Sequence, residues 1–446
     1  MASSSRRHFI NTAALGLSAA ALQAQAPTRT SANDRVQIAL IGAGGMGTED
    51  LKSSLAQTGV EVVAFADVYD GRLARAKEVH GDQVFTTRDY REVLARPGID
   101  AVIVATPDHW HAQIAVDAMN AGKDVYVEKP MVQKVEDGHR VIEAQKKNNR
   151  ILQVGSQRVS SIVYQKAKDL LAQGAIGKVN LIEAWWDRNS AIGAWQYSLP
   201  LDASPANIDW DKFLGSAPKR PFEPIRLFRW RNYKDYGTGV AGDLFVHLFS
   251  GMHHIMNSLG PTRVFSTGGL RCGEDGRAVP DVMLGLFDYP ETKQHPAFNL
   301  ALRVNFVNGS GETSGFRFVG SEGVLTVGNG VVVTRQPRES EPGYSIDTFT
   351  KGMQEKFLEQ YRKKYPQQRA SADAMRPVDE DRYMPPRGYN DHVDHHRNFI
   401  EAVRSRKPVI EDATFGLRAA GPALLSNISY EQKRAIQWDP QKMAWS

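Results

Sequence analysis

Cysteine is almost absent from this chain of 446 residues, in which Cys272 is the only one. A single cysteine excludes an intrachain disulfide, so the fold depends on a hydrophobic core rather than on covalent cross-links. Long apolar runs are missing after the N-terminal segment, which argues against a membrane span in the rest of the chain. The formal charge of +5 comes from Lys and Arg scattered among Asp and Glu. Because they form no basic stripe, we expect no binding to nucleic acid.

The first residues have the pattern of an export signal. Arg6 and Arg7 precede an apolar stretch from Thr12 to Leu22, and residues 24–26 read Ala-Gln-Ala, a small-x-small cleavage site. This pattern resembles a twin-arginine (Tat) signal; an amphipathic helix with a chance arginine pair is the alternative. We expect residues 1–33 to be signal and linker, and the protein to be periplasmic or secreted, exported in the folded state and without a membrane anchor.

Two successive sequence patterns predict two α/β domains. Short β-rich apolar runs alternate with helical stretches up to residue 155, which is typical of a doubly wound parallel sheet. Longer alternating runs then predict an open, mostly antiparallel sheet over residues 156–446, with 335–388 as an insertion or arm. The predicted strands are 36–41, 60–66, 84–86, 101–105, 125–127 and 151–154 in the domain at 34–155, and 179–186, 282–287, 298–307 and 323–334 in the second domain.

A glycine-rich loop follows the first predicted strand. Gly42, Gly44 and Gly47 form a Gly-x-Gly-x-x-Gly pattern that also contains Gly45 and Met46 and leads into a helix. The first glycine would permit the tight turn, the second would let the backbone approach a pyrophosphate, and the third would let helix and strand pack closely. The free N–H groups at the helix N-terminus favour phosphate. We therefore expect a Rossmann domain that binds a dinucleotide.

An acidic residue indicates which dinucleotide is bound. Asp67 ends the second predicted strand, twenty residues after Gly47. A carboxylate there accepts hydrogen bonds from the ribose hydroxyls and repels a 2'-phosphate, which favours NAD over NADP. Capping of the following helix is the alternative role, and the nearby Arg72 and Arg75 weaken the preference.

Two further strand ends carry polar residues at the edge where parallel sheets bind ligands. Thr106 and Pro107 follow the fourth strand and lead to His109 and His111, which by themselves indicate loop packing. Residues 128–130 read Glu-Lys-Pro after the fifth strand. A lysine there can exchange a proton beside a hydride source, although a charged pair at a strand end is also typical of solvated surface.

An acid and a histidine lie four residues apart in a later segment. Asp243 and His247 would share one face of a helix. A histidine titrating near neutrality can take a hydroxyl proton as hydride leaves. A surface ion pair is the alternative, and zinc ligation together with His254 lacks a metal motif, so we predict no metal.

The combination of these motifs resembles the Gfo/Idh/MocA oxidoreductase family. Residues 318–323 (Phe-Val-Gly-Ser-Glu-Gly) and 398–402 (Asn-Phe-Ile-Glu-Ala) are similar to its C-terminal signatures, so the resemblance covers nearly the whole chain after the signal. It implies a bound NAD, a sugar, glycoside or sugar-like polyol held between the two domains, and a homodimer or homotetramer formed through the open sheet.

The resemblance also implies residue roles. Lys129 would polarise the reacting hydroxyl, His247 would move its proton and Asp243 would orient the sugar. Beside the glycine loop and Asp67, the expected cofactor contacts are Thr106, Pro107, His111, Glu128 and Lys129. The expected sugar contacts are Arg158, Tyr164, Trp186, Arg188 and Tyr236. Trp186 is equally typical of interior packing, the two tyrosines are more typical of a core or rim, and the two arginines are more typical of ordinary salt bridges. The family often has Asp-x-Gly-x-His; here Phe245 replaces the glycine, so the local helix packing is expected to differ.

Export would separate such an enzyme from free NAD, so we expect the cofactor to stay bound and the hydride to return in each cycle. The resemblance offers two chemistries of this kind. One transfers hydride between two sugars, as glucose-fructose oxidoreductases do. The other hydrolyses a glycoside by transient C3 oxidation and elimination, as NAD-dependent glycosidases of the alpha-N-acetylgalactosaminidase type do. A non-catalytic NAD- and sugar-binding protein is a third alternative, against which the presence of Lys129, Asp243 and His247 argues.

Overall fold

The computed structural model describes residues 35–190, 193–271, 276–335, 343–366 and 379–446. The predicted signal and linker at 1–33 and Cys272 lie outside the described residues, as does part of the predicted arm at 335–388. Among the described residues, no helix is long and apolar enough to cross a membrane.

The N-terminal domain is built on six parallel strands. They are β1 (Val36–Ile41), β2 (Val60–Ala66), β3 (Phe85–Thr87), β4 (Ala101–Val104), β5 (Asp124–Glu128) and β6 (Leu152–Gly155). The helices between them are α1 (Gly45–Leu55), α2 (Asp70–His80), α3 (Tyr90–Leu94), α4 (Asp108–Asn120) and α5 (Asp137–Asn148). The sheet order β3-β2-β1-β4-β5-β6 confirms the predicted Rossmann topology. Its order reverses between β1 and β4, which is where such sheets bind ligands.

Burial explains why these strands read as continuous apolar runs. Every residue of β4 and of β5 is buried, because helices cover both faces of the sheet. The predicted strand bounds agree with the structure to within one residue at each end.

The second sheet has ten strands and is mostly antiparallel, as predicted. The strands are β7 (Val179–Asp187), β8 (Arg263–Gly269), β9 (Val282–Tyr289), β10 (Phe298–Asn305), β11 (Thr313–Gly320), β12 (Gly323–Val327), β13 (Val331–Arg335), β14 (Asp379–Tyr383), β15 (Ile436–Asp439) and β16 (Ala444–Trp445). Their order is β14-β13-β12-β11-β7-β10-β9-β8-β15-β16, with β7 and β10 paired in parallel.

The structure corrects the predicted strands of this sheet in two places. Residues 323–334, predicted as one run, form the antiparallel pair β12 and β13, which turns at residues 328–330. The segment predicted as an insertion or arm contributes β14, which pairs with β13 at the sheet edge. Edge strands and strands with one exposed face carry polar residues that weaken their apolar pattern, which is why β8, β11, β14, β15 and β16 were not predicted.

Seven further α-helices belong to the described residues after the N-terminal domain. They are α6 (Ile162–Ala172), α7 (Trp210–Leu214), α8 (Pro224–Phe228), α9 (Val246–Met256), α10 (Lys351–Lys364), α11 (Asp391–Ser405) and α12 (Ala413–Gln432). On α11, Phe399 and Ile400 are buried in one hydrophobic cluster with Ile38 and Leu40 of β1. The core of the N-terminal domain is therefore completed by a helix that is distant in sequence.

The contribution of α11 to the stability of the protein can be measured by replacing Phe399 with Ala. Phe399 is 0% exposed and packs edge-on against Tyr126 of β5, with ring centroids 5.7 Å apart. Its loss should lower the free energy of unfolding by about 3–5 kcal/mol. Urea unfolding followed by intrinsic fluorescence measures the change, with Glu401→Ala on the exposed side of α11 as the control. Equal midpoints for the two variants would contradict the role of α11.

Candidate active site

The glycine loop has the geometry of a phosphate cradle. Gly42 has a φ of 93°, and a Cβ atom there would lie 2.6 Å from the Ala105 carbonyl oxygen, so this position requires glycine. A Cβ at Gly47 would overlap the Gly42 carbonyl oxygen, so α1 can pack on β1 only without a side chain. Helix α1 then begins at Gly45 and directs its free N–H groups towards the loop.

Asp67 fixes this loop from the neighbouring strand. Its buried carboxylate accepts hydrogen bonds from the backbone N–H of Ala43 (2.8 Å) and of Tyr69 (3.0 Å). The Arg72 guanidinium donates to the same carboxylate at 3.2 Å. Helix α2 has Tyr69 at its N-cap position, so Asp67 does not cap it. The carboxylate is thus held at the edge of the cleft, where it can meet a ribose.

A cleft of about 600 Å³ runs from the glycine loop to the second sheet. The predicted cofactor contacts that line it are Gly42, Gly44, Gly45, Met46, Asp67, Thr106, Pro107, Glu128 and Lys129. The Thr106 hydroxyl is buried and has no hydrogen-bond partner among the described residues. A free buried hydroxyl beside a glycine cradle fits a dinucleotide, whose polar groups would satisfy it.

His111 is placed behind the cleft rather than in its lining. One ring nitrogen lies 2.8 Å from the Pro130 carbonyl oxygen and the other 2.8 Å from that of Thr106. Burial lowers the pKa of His111 to about 4, so the ring is neutral and donates to one carbonyl at a time. His111 therefore braces the loops after β4 and β5 against each other.

An ion pair joins the two domains in the middle of the cleft. The Lys129 ammonium donates to Asp243 at the carboxylate (2.7 Å) and at the backbone carbonyl (3.0 Å). Arg231 donates to the same carboxylate oxygen at 3.2 Å. Although burial opposes ionisation, Lys129 and then Arg231 hold the pKa of Asp243 well below its usual range. Asp243 is therefore a carboxylate shared by two cations.

Glu128 also lines the cleft, and its carboxyl differs from that of Asp243 in protonation. Its carboxyl accepts a hydrogen bond from the Gln157 amide at 2.7 Å. Burial, assisted by the nearby Asp50, raises the pKa of Glu128 well above its ordinary value. The neutral form is thus favoured, and the group supplies little charge to the cleft.

His247 completes the predicted trio. Asp243 lies in a π-helical turn (Ala241–Phe245) that runs into α9, and both Asp243 and His247 reach the cleft. Burial and then the Lys129 charge lower the pKa of His247 well below its ordinary value. Its Nδ1 has no hydrogen-bond partner among the described residues. A neutral imidazole next to an ammonium group can accept a proton from a hydroxyl bound between them.

Phe245, which replaces the glycine common in the family motif, points away from the cleft. It is fully buried and lies edge-on to Phe287 of β9, with ring centroids 6.4 Å apart. The substitution therefore changes the packing of the π-helical turn on the second sheet and adds no side chain to the cleft lining.

Three of the five predicted sugar contacts line the cleft, namely Arg158, Trp186 and Arg188. Trp186 packs against His247 with ring centroids 4.9 Å apart, and the Arg158 guanidinium lies 4.2 Å from the Trp186 ring centroid. The other two predicted contacts, Tyr164 and Tyr236, are buried outside the lining. Tyr164 packs against Phe316, and Tyr236 packs against Phe213 and His109.

The sequence analysis missed several cleft residues, among them two with titratable or charged side chains close to the predicted trio. Arg231 belongs to a short turn with no recognisable motif, and His392 lies at the start of α11, distant in sequence from every other site residue. No local pattern marks either residue, because only the tertiary fold brings them to the cleft. Among the described residues, no group of three His, Cys, Asp or Glu side chains could hold a metal ion.

Comparison with known proteins agrees with this geometry. Residues 36–156 match the GFO_IDH_MocA family model, described as an oxidoreductase family with an NAD-binding Rossmann fold. The chain carries the NAD-binding domain of the Gfo/Idh/MocA family. Inositol 2-dehydrogenase of Salmonella typhimurium is 35% identical over 142 residues, which cover 31% of this chain and 42% of that protein. The scyllo-inositol 2-dehydrogenase (NAD(+)) of Bacillus subtilis is 33% identical over 145 residues, with 32% and 42% coverage.

Solved structures extend the likeness in fold over most of the chain. Levoglucosan dehydrogenase in complex with NADH and levoglucosan aligns with a TM-score of 0.65 and 18% identity, covering 90% of this chain and 99% of that one. The scyllo-inositol dehydrogenase of Lactobacillus casei aligns with a TM-score of 0.60 and 18% identity, with 90% and 99% coverage. The sequence match to the two curated inositol dehydrogenases, in contrast, spans less than half of their length.

Replacement of Asp67 by Ala should change the cofactor preference of this domain. The change removes the charge that repels a 2'-phosphate and releases Arg72 to bind one. Loss of a hydrogen bond to a charged group should weaken NAD binding about 10- to 100-fold, and the NAD-to-NADP affinity ratio should fall at least as much. Calorimetric titration of protein freed of cofactor measures both affinities. Glu78→Ala, which breaks the exposed pair with Arg75, is the control; an unchanged ratio would contradict the role of Asp67.

Proposed function

We propose that this protein is an exported NAD-dependent oxidoreductase that acts on a sugar or sugar-like polyol and keeps its NAD tightly bound through the catalytic cycle. The observation that carries the proposal is the contact of 2.7 Å between Lys129 and Asp243, next to His247, in a cleft that begins at the glycine loop. The dehydrogenases named above act on inositols and levoglucosan, which supports a polyhydroxylated substrate.

The side chains divide the chemistry between them. NAD supplies the acceptor for a hydride from a carbon that bears a hydroxyl. An ammonium has three donors, and Lys129 uses two on Asp243, which leaves one N–H for the reacting hydroxyl oxygen. The neutral His247 accepts the hydroxyl proton and returns it when the hydride returns. Asp243 holds Lys129 in position, and Trp186 contacts both His247 and Arg158 and so holds them at the reacting end of the cleft.

We also propose that the protein is exported and that it forms a homodimer or homotetramer. Export rests on the arginine pair and apolar stretch at the N-terminus, and recovery of the protein in the periplasmic fraction of its host would support it. A homodimer or homotetramer is supported by the outer face of the second sheet. There, Phe265, Leu284 and Leu286 are 38%, 46% and 58% exposed on the adjacent strands β8 and β9.

The decisive experiment uses the purified protein without added NAD. Denaturation should release nicotinamide cofactor, and incubation with free sugars and glycosides in deuterated water should reveal the chemistry. Paired formation of a lactone and a reduced sugar supports hydride transfer between sugars. Glycoside cleavage with deuterium at C2 supports the glycosidase alternative. If no cofactor is released and no sugar reacts even with added NAD, the proposed function is wrong.

Replacement of Lys129 by Ala should lower kcat by about 100- to 10,000-fold while NAD stays bound. Asp243 keeps Arg231 as a partner at 3.2 Å, so the variant is not left with an unpaired buried carboxylate. Lys123→Ala is the matched control, because Lys123 is also buried but lies outside the cleft and donates to the Arg96 carbonyl. Retained turnover in Lys129→Ala would exclude the assigned role.

The pH profile tests the state of His247. A base must be neutral to act, and the pKa of His247 is lowered from an ordinary value of 6.5 by burial and the Lys129 charge. Protonation should therefore reduce kcat/KM only below pH 6.5, and the rate should be level from there to neutrality. In Lys129→Met the acidic limb of the residual activity should lie at a higher pH, because one of the charges that lower the pKa of His247 is gone. An acidic limb at or above pH 6.5 in the unchanged protein would refute this assignment.

A further inference from the structure

The substrate end of the cleft has an excess of positive charge. Lys129, Arg158, Arg188 and Arg231 line it, and Asp243 is the ionised carboxylate that faces them. Glu128 adds little negative charge, since burial favours its neutral form. The remaining acidic residue in the described lining, Asp67, is at the cofactor end and is paired with Arg72. Four cations thus face one anion where the sugar is proposed to bind.

The other basic residues of the lining are neutralised within the protein. Arg88 pairs with Asp70, Arg91 pairs with Asp89, and Lys212 pairs with Asp209. Arg158 and Arg188 differ from them, because neither has a carboxylate within ion-pair distance among the described residues. Uncompensated charge that is partly withdrawn from water is costly, so these two groups are suited to an anion from outside the chain.

Arg158 is held in a fixed position by neutral groups. One of its guanidinium nitrogens donates to the Ser314 hydroxyl at 3.0 Å, and its Cζ atom lies 4.2 Å from the Trp186 ring centroid. These contacts restrict the side chain but bring no negative charge to balance it. The Trp186 ring that Arg158 contacts also packs on His247, so the guanidinium lies near the reacting end of the cleft.

Arg188 follows β7 two residues after Trp186 and approaches the same space. Its backbone N–H donates to the Asn305 carbonyl and its carbonyl accepts from the Asn308 N–H, so its main chain is fixed on both sides. The Nε atom is buried and has no acceptor among the described residues. Arg188 and Asp243 line the same cleft, and the Arg188 charge is one of those that lower the pKa of Asp243. A buried donor without an acceptor indicates that a ligand supplies one.

We propose that the sugar substrate carries an oxyanion substituent, a carboxylate or a sulfate ester, which Arg158 and Arg188 bind beside the reacting hydroxyl. The inference rests on the proposed function and specifies its substrate class. Guanidinium groups bind such oxyanions through paired, charge-assisted hydrogen bonds, whereas a neutral sugar would leave the excess charge uncompensated. The cofactor phosphates are expected at the other end of the cleft, on the N-terminus of α1.

Matched sugar pairs test the proposal. Methyl glycosides of glucose, galactose and mannose are compared with the corresponding uronic acids and 6-sulfates, in both anomeric forms. Dissociation constants for the NAD-loaded protein are measured by calorimetry and kcat/KM by turnover. The charged member of at least one pair should be favoured about 10- to 100-fold. A larger effect for the uronic acid identifies the substituent as a carboxylate, and a larger effect for the 6-sulfate identifies a sulfate ester.

Variants connect the preference to the two arginines. Arg188→Gln should reduce the ratio of charged to neutral affinity about tenfold or more, and Arg188→Lys should restore part of it. Arg158→Gln is the second variant if Arg188→Gln does not fold. Arg263→Gln is the control, since Arg263 is exposed on β8 and paired with Asp288. Retained NAD and an unchanged unfolding midpoint verify the fold of each variant.

The outcomes separate this inference from the proposed function. Equal affinity and turnover for charged and neutral sugars would overturn the inference and leave the oxidoreductase proposal intact. Preferential binding of a charged sugar without turnover of any sugar would support the inference and count against the enzyme function. If the ratio of charged-sugar to neutral-sugar affinity is unchanged in both arginine variants, these residues do not bind the oxyanion substituent.

Discussion

The contact between Lys129 and Asp243 ties the loop after β5 to the π-helical turn before α9, across 114 residues of sequence. A buried ion pair costs desolvation energy, and here the cost is offset by a second cation, Arg231, and by a hydrogen bond to the Asp243 carbonyl. Because the pair spans the two domains, it fixes the width of the cleft at the point where chemistry is proposed. The state of His247 depends on it too, since the Lys129 charge opposes protonation of the ring.

Much of this architecture could be predicted from local sequence. Parallel strands such as β4 and β5 are buried on both faces and read as apolar runs, and the glycines at 42 and 47 occupy positions that exclude a side chain. The site residues that could not be predicted are brought to the cleft only by the tertiary fold. His392 reaches the cleft on a helix from the far end of the chain, and Arg231 belongs to a turn without a motif. The sequence around an aromatic residue such as Tyr236 does not show whether the side chain lines a cleft or packs in a core.

The distribution of charge along the cleft depends on which of its cations are paired with carboxylates of the protein. At the cofactor end each arginine has a carboxylate within the protein, so that end is closer to electrical balance and leaves the helix N-terminus to attract phosphate. At the other end Asp243 alone faces four cations. A single long cleft therefore offers two distinct electrostatic environments, and the boundary between them lies at the residues that are proposed to carry out proton transfer.

Helix α11 makes the N-terminal domain discontinuous in sequence. Phe399 and Ile400 seal the β1 side of the parallel sheet, so this surface stays uncovered during synthesis until residues beyond 400 have left the ribosome. Folding of the dinucleotide domain is thereby coupled to production of almost the entire polypeptide. A nascent chain has all the glycines of the cradle early but lacks the helix that completes the core behind them until translation is nearly finished.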